Sequence, residues 1–406
     1  MRRFLAIASL LWLAAAPLAR AANIVVETTA DGVTGPLCDI RDALRSAEDD
    51  VPSGGCAESD PNGADVVDLT GLTGSIDLTN GVLLTIHSDV TVVGPGAGVL
   101  TIDGLGTTPI WVVGDHGTLT IEGLTIASGS TAGRGGCIAV TPGGTLFLRD
   151  SRVTGCAGDN GGAIAVDGGG ARLDRVLVDA NTASNSGAGL INGAGVVAIN
   201  DSTFSGNVAT QAGGGVATFG ADGGGTVTWT RIHSSTFADN GADVGENLYD
   251  AVDPDPLVDT ILTHVLVANP RGGEANCAGA EAFTSEGWNL ATDASCGLAG
   301  VGDKPSTAAG IAALADNGGP TATHALELGS AAIDGGNPLG CVDSVGVAYA
   351  FDQRGPGFPR RTNGNGIGAT ECDIGAYEKA PEPVATALGA AAVASLAGLA
   401  RRRARR

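Results

Sequence analysis

The sequence predicts an all-β protein, a right-handed parallel β-helix solenoid with a short N-terminal capping helix and a loop-rich C-terminal cap. Three observations predict it. Glycine and proline supply 66 and 17 of the 406 residues, which disfavours long helices over most of the chain. Aromatics make up only 4% and methionine occurs once, so the apolar residues are mostly small or β-branched and suit short strands. The third is an internal repeat. Gly135-Gly136-Cys137-Ile138-Ala139-Val140 aligns with Gly161-Gly162-Ala163-Ile164-Ala165-Val166, and further copies begin at Gly187 and Gly213, each 26 residues on.

At the N-terminus, Met1-Arg2-Arg3, an apolar stretch from Phe4 to Leu18 and Ala19-Arg20-Ala21 have the three-part pattern of a secretory signal. Residues 1–21 are therefore expected to be removed, leaving a mature chain that begins near Ala22. Residues 22–63 are expected to cap the first coil, because Ile40, Ala43, Leu44 and Ala47 fall at helical spacing between Asp39 and Asp49. Export makes the eight cysteines readable as disulfides. Their order predicts local pairs: Cys38 with Cys56, Cys137 with Cys156, Cys277 with Cys296, and Cys341 with Cys372. No CxxC spacing points to a zinc site or a redox motif.

Residues 64–303 are the expected solenoid. A second column, Ile126, Val153, Val178, Phe204 and Phe237, steps by 27, 25, 26 and finally 33 residues. Such a unit cannot bury an apolar face alone and must stack on its neighbours. Leu119-Thr120-Ile121 and Leu146-Phe147-Leu148 alternate as half-buried strands do. A propeller blade of roughly 40–45 residues fits worse, and so does the leucine-rich consensus. In coils stacked about 4.8 Å apart, residues acquire roles by column. Asn181, Asn207 and Asn240 form an expected inward ladder, with Cys156 in that slot one coil earlier; a row of sugar-binding amides is the functional alternative. Glu122, Arg149, Asp174 and Asn200 make one outer column, and Asp150, Arg175 and Asp201 the next. Their charges alternate, so rung neighbours attract and a one-coil slip is opposed.

The chain carries 22 basic and 44 acidic residues, a net charge of −22, which argues against nucleic acid or an anionic membrane as partner. Catalytic and metal sites are assigned to no residues. Glycoside hydrolysis needs two carboxyls about 5–5.5 or 6.5–9.5 Å apart, one of them with a raised pKa. Like-signed residues in one column stand two rungs, about 9.6 Å, apart with an arginine between them, an arrangement that predicts lowered values instead. Arg152, Asp150 and Asp179, the nominees for a lyase, lack a tight acid cluster. The histidines at 87, 116, 233, 264 and 324 are scattered and expected to be solvated or hydrogen-bonded turn residues. Trp111, Trp229 and Trp288 are expected to pack, with sugar stacking as the alternative. No cofactor is expected beyond calcium collected weakly by the acidic surface.

Residues 304–378 are the expected C-terminal cap, closed by Cys341 and Cys372. Arg354 and Arg360 are expected to form a charge-assisted network with Asp352, Asp373 and Glu378, and His324 to be a hydrogen-bonded cap residue. Residues 379–406 contain Pro381-Glu382-Pro383, a 17-residue apolar run from Val384 to Ala400, and five arginines. That run is at the lower limit for spanning a bilayer, and the basic block behind it is of the kind retained on the cytoplasmic side. Removal of residues 1–21 and 381–406 takes away 8 Arg and one Glu, leaving 14 basic and 43 acidic residues and a net charge of −29.

Several motifs resemble known bacterial surface proteins. Cys38-Asp39-Ile40-Arg41-Asp42-Ala43 resembles the CSLREA segment that opens many surface β-helix proteins, and Gly94-Pro95-Gly96-Ala97 with Leu100-Thr101-Ile102-Asp103-Gly104 matches what usually follows. Ala315-Asp316-Asn317-Gly318-Gly319-Pro320-Thr321, Asp352-Gln353-Arg354-Gly355 and Cys372-Asp373-Ile374-Gly375-Ala376-Tyr377-Glu378 resemble the choice-of-anchor Q domain. The tail is similar to the PEP-CTERM sorting signal, which in that family is cut by an exosortase-type transpeptidase. The resemblance implies location and architecture and carries no catalytic residues. The expectation is an exported, surface-sorted, non-catalytic β-helix with a structural, adhesive or polysaccharide-binding role. Its expected partners are the export machinery, the sorting enzyme and extracellular polysaccharide; the alternative is a polysaccharide lyase or glycoside hydrolase.

Overall fold

A computed structural model describes residues 22–32, 35–57, 64–220, 228–251, 258–279, 283–366 and 370–381. The expected signal peptide and the tail from residue 382 onward lie outside the described residues. Three parallel sheets of ten, eight and nine strands make the walls of a right-handed solenoid, and a fourth sheet of three strands adds a side to the middle coils. One coil places Ile138–Val140, Thr145–Arg149, Arg152–Thr154 and Ala157–Asn160 in successive sheets. Each pairs in parallel with its counterpart 25 or 26 residues on.

The repeat read from the sequence is this pairing. Ile138, Ile164, Leu190 and Val216 are partners in consecutive strands, and so are Ile126, Val153, Val178, Phe204 and Phe237. Leu119, Ile121, Leu146, Leu148, Leu173 and Ile199 point inward and are fully buried, while their alternate neighbours face out. Where the inward column reaches Phe204 and Phe237, the rings stack with centroids 4.9 Å apart.

Gly135, Gly161, Gly187 and Gly213 stand in file at one corner with φ between 61° and 74°. A Cβ on Gly161 would sit 2.5 Å from the Ile164 carbonyl oxygen, backbone that cannot yield. Gly155 has the same φ of 66°, yet the nearest atoms to its Cβ would be 3.9 Å away. Gly155→Ala is therefore expected to lose only the roughly 1–2 kcal/mol of left-handed backbone, and Gly161→Ala at least about twice that, because overpacking is added. Urea unfolding midpoints of the two variants test the difference.

The first coil is covered as expected. Ile40–Asp49 is helical, and Asp39 caps it by accepting hydrogen bonds from the Arg41 and Asp42 N–H groups. Ile40, Ala43, Leu44 and Ala47 are its buried face, and the Cys38–Cys56 bond pins its start. Glu48 ties the other end to the coil below by accepting from the Ser88 hydroxyl at 2.8 Å.

The C-terminal end departs from expectation. Residues 292–306 close the last coil: Leu290 bridges Lys304, Cys277–Cys296 anchors the turn, and Asp303 accepts hydrogen bonds from Ser285, Asn289 and the Gly300 N–H. Residues 307–366 and 370–381 do not sit on the end. They run back along the flank as a strap over the outer face of the nine-stranded sheet. The reason lies in that face, which presents Leu266, Ala268 and Leu290 where a solvated sheet would present polar groups. Leu326, Ala332 and Ile374 of the strap cover them. Farther along, Thr203 donates to Gln353, and the Thr236 hydroxyl accepts from the Ala376 N–H at 2.9 Å.

Candidate functional site

Two columns and one junction hold the side chains singled out by the sequence. Inside, the Asn181 amide donates to Asn207 Oδ1 at 2.9 Å and to the Val153 carbonyl at 3.1 Å. Asn207 repeats this toward Asn240 and the Val178 carbonyl. Above the ladder, Cys156 N–H donates to Asn181 Oδ1. All three asparagines are fully buried, so these amides are inaccessible to a sugar. Beyond Asn240 the ladder passes to Asn247 and Asn276, which the sequence reading missed because the period breaks there. A second set of internal serines, Ser151, Ser202 and Ser235, was also missed; the signal was a serine two residues after the ends of the strands Thr145–Arg149, Val196–Asn200 and Thr228–His233.

Outside, Glu122, Arg149, Asp174 and Asn200 are register partners. Their contacts are not simply rung to rung. Asp174 is taken by Arg172 of its own strand at 2.8 Å and by Asn200 at 2.9 Å, and Arg149 reaches it only at 3.8 Å. In the neighbouring corner column, Arg175 grips Asp150 with two bonds of 2.7 Å. Asp201, the next member, turns away to the strap and pairs with Arg360. The expectation of lowered carboxyl pKa values fails there: burial pushes Asp201 up to about 7 even beside that guanidinium. Arg152 and Asp179 form another two-bond pair, at 2.7 and 2.6 Å.

At the junction, Arg360 is completely buried between Asp201 and Glu378 and donates to the Gly375 carbonyl at 2.8 Å. Arg354 clamps Asp352 at 2.6 Å and lies over the rings of Phe358 and Tyr377. Burial raises the Asp373 and Glu378 carboxyls, which repel each other. His324 joins strap and solenoid, with Nε2 3.0 Å from Ser205 Oγ and Nδ1 2.8 Å from the Ala312 carbonyl. His264 accepts a hydrogen bond from the Asn337 N–H at 2.9 Å and stacks on Trp288. His264 and His324 are thus hydrogen-bonded, within what the sequence led one to expect, and they and His233 are buried. His264 lies within 4.8 Å of the Cys341 and Cys372 sulfurs, but those two are bonded to each other.

Folding lowers the proton affinity of these three histidines by burial, His264 to about 3. Stability they contribute is complete above their unfolded pKa of roughly 6.5 and is lost as pH falls. For Asp201 the sign is opposite: its raised value means stability lost as pH rises from about 4 through 7. Thermal unfolding is therefore expected to peak at mildly acidic pH. Asp201→Asn is expected to make the alkaline limb shallower, with Asp373, raised to about 8 by burial, keeping the rest, and to leave the acid limb in place, as a series of melting scans across pH would show.

Two of the open grooves border these charged pairs. One, of about 370 Å³, lies between the ten-stranded sheet and strap residues 342–351, bounded by Glu122, Arg149, Arg172, Arg175, Tyr349 and Phe351. The other, of about 340 Å³, is lined by Arg134, Asn160, Asp167, Ile191 and Phe219, with Arg134 and Asp167 paired at 2.6 Å. The fold defines a disulfide-bonded parallel β-solenoid, and its four disulfides, Cys38–Cys56, Cys137–Cys156, Cys277–Cys296 and Cys341–Cys372, are the expected local pairs. They fit an oxidising, extracellular setting. No helix among the described residues is long and apolar enough to cross a membrane. Comparison with protein-family models, curated proteins and solved structures gives no match.

Proposed function

We propose that this chain is an exported, surface-sorted β-solenoid with a structural, adhesive or polysaccharide-binding role in the extracellular matrix, acting by holding rather than cutting. The observation that carries the reading is the pairing of two groove-facing carboxylates, Asp174 and Asp343. Asp174 and Asp343 are both held by Arg172 at 2.8 Å, and that contact with its hydrogen bonds keeps Asp343 below the ordinary carboxyl range, the opposite of what a general acid requires. The disulfides support export. The CSLREA-like and choice-of-anchor Q-like motifs support surface display, and the PEP-CTERM-like tail supports processing by an exosortase-type enzyme.

The enzyme reading has one observation in its favour. Burial raises Asp167, which lines the smaller groove. A single carboxyl tied to Arg134 supplies an acid without its partner base or nucleophile. Mass spectrometry of the exported protein tests the first reading: a mature N-terminus near Ala22, four disulfides and a trimmed tail are expected, whereas an intact cytoplasmic chain with free thiols would overturn it.

A further inference from the structure

We propose that the groove between the ten-stranded sheet and strap residues 342–351 is a binding site for an uncharged glycan segment. The assignment rests on the extracellular reading above and adds the site and the ligand class.

The two walls of this groove differ in the way a sugar ring differs between its hydroxyl edge and its C–H face. The strap wall is apolar: Val347, Ala348, Ala350 and Phe351 line it, with Val347 61% and Phe351 38% exposed. Apolar residues grouped along one wall of a concave groove that also holds placed polar groups are the arrangement of a ligand site. The sheet wall is an array of planar charged groups on successive rungs, roughly 4.8 Å apart. Planar carboxylates and guanidiniums engage adjacent hydroxyls through two parallel hydrogen bonds, so the periodic array matches a chain of repeated sugar units.

The groove is built in advance. Arg172 links the two walls by bonding Asp174 on the sheet and Asp343 on the strap. Asn200 Oδ1 accepts from the Ser344 N–H at 3.0 Å and from the Tyr349 hydroxyl at 3.3 Å. With both walls fixed, a ligand meets little ordering cost. Arg149 is the uncommitted member. Its guanidinium is 44% exposed, and its nearest carboxylate oxygen is 3.8 Å away, beyond hydrogen-bond length. Its Cζ lies 6.0 Å from the centre of the Phe147 ring, and the side chain lines the groove.

Charge selects the ligand class. Arg149, Arg172 and Arg175 are balanced by Glu122, Asp174 and Asp343, so the groove has no net charge to attract an acidic chain. The surrounding protein, at −22, repels a polyanion at long range. An uncharged glycan meets neither obstacle.

The test uses the exported full chain against an array of neutral, uronic-acid-containing and sulfated oligosaccharides, followed by titration of the best ligand. Binding to neutral glycans is expected, weakened about tenfold or more by Arg149→Gln and by Phe351→Ala and restored in part by Phe351→Tyr. Arg134→Gln, in the other groove, is expected to bind as the parent does. Near-ultraviolet circular dichroism and melting temperature establish that each variant is folded. Binding confined to acidic glycans would overturn the ligand class, and binding insensitive to Arg149 and Phe351 would overturn the site. Absence of any glycan binding by a folded, exported, four-disulfide protein would overturn the proposal while leaving the surface-scaffold reading intact.

Discussion

Arg360→Ala is expected to release the strap from the solenoid flank while the coils stay folded. Arg360 is fully buried and is the cation facing Asp201 and Glu378 across the junction. It also donates to the carbonyls of Ser234, Gly375 and Asp373. Truncation would leave two buried carboxyls and three carbonyls without that donor. Breaking a buried ion pair from one side costs about 3–5 kcal/mol, a large share of the stability of an ordinary domain. Limited proteolysis is the direct readout, with cleavage in residues 307–381 preceding cleavage of the coils. Arg360→Lys is expected to rescue poorly, since an ammonium cannot reproduce the planar fork that meets acids and carbonyls together. Arg360→Met combined with Asp201→Leu is expected to recover part of the loss, because it removes the uncompensated charge at position 201 and leaves only Glu378, which keeps the Thr362 and Asp373 N–H donors. Unchanged protease resistance in Arg360→Ala would show that the apolar contacts of Leu326, Ala332 and Ile374 alone hold the strap.

The second large effect is expected inside the coils. Asn207 Oδ1 accepts from both the Asn181 amide and the Asn181 backbone N–H, and its own amide serves Asn240 and the Val178 carbonyl. Asn207→Leu has similar volume and would strip four partners at once in a dry interior. Each buried group left unsatisfied costs about 1–3 kcal/mol, so a loss of at least ~3 kcal/mol is expected after partial relaxation. Asn207→Asp keeps the acceptor but turns its donor side into an acceptor facing two acceptors, and is expected to be nearly as harmful. Urea unfolding gives the values. A loss below about 1 kcal/mol in both variants would mean the ladder does not register the coils.

Much of the solenoid was legible because its signals are local and repeated. A 26-residue step places Gly135, Gly161 and Gly187 at the same corner, and cysteines 18 or 19 residues apart are close enough in the chain to bond within one coil or across the cap helix. The helix over the first coil was legible from Ile40, Ala43, Leu44 and Ala47 for the same reason. The strap was not. Arg360 stands near Asp352 and Asp373 in sequence, yet its tightest partner, Asp201, is 159 residues away, and no periodicity relates them. An indirect signal existed: Leu266 and Leu290 occupy outward positions of their strands, where an uncovered sheet would carry polar residues. The groove was half legible. Arg149 and Asp174 were read as one column, but Arg172 and Phe351, which make a groove of it, needed the strap in place.

The proposed role is to hold glycans without cutting them, with Asp174 and Asp343 of the groove locked to Arg172. Incubation of the exported protein with neutral and acidic polysaccharides, with the bound fraction and new reducing or unsaturated ends measured in the same samples, tests it most directly. Retention on a neutral polysaccharide with no increase in chain ends over a buffer control is the predicted result. A time-dependent release of ends that disappears in Asp167→Asn would contradict it and place an active site in the groove of Arg134.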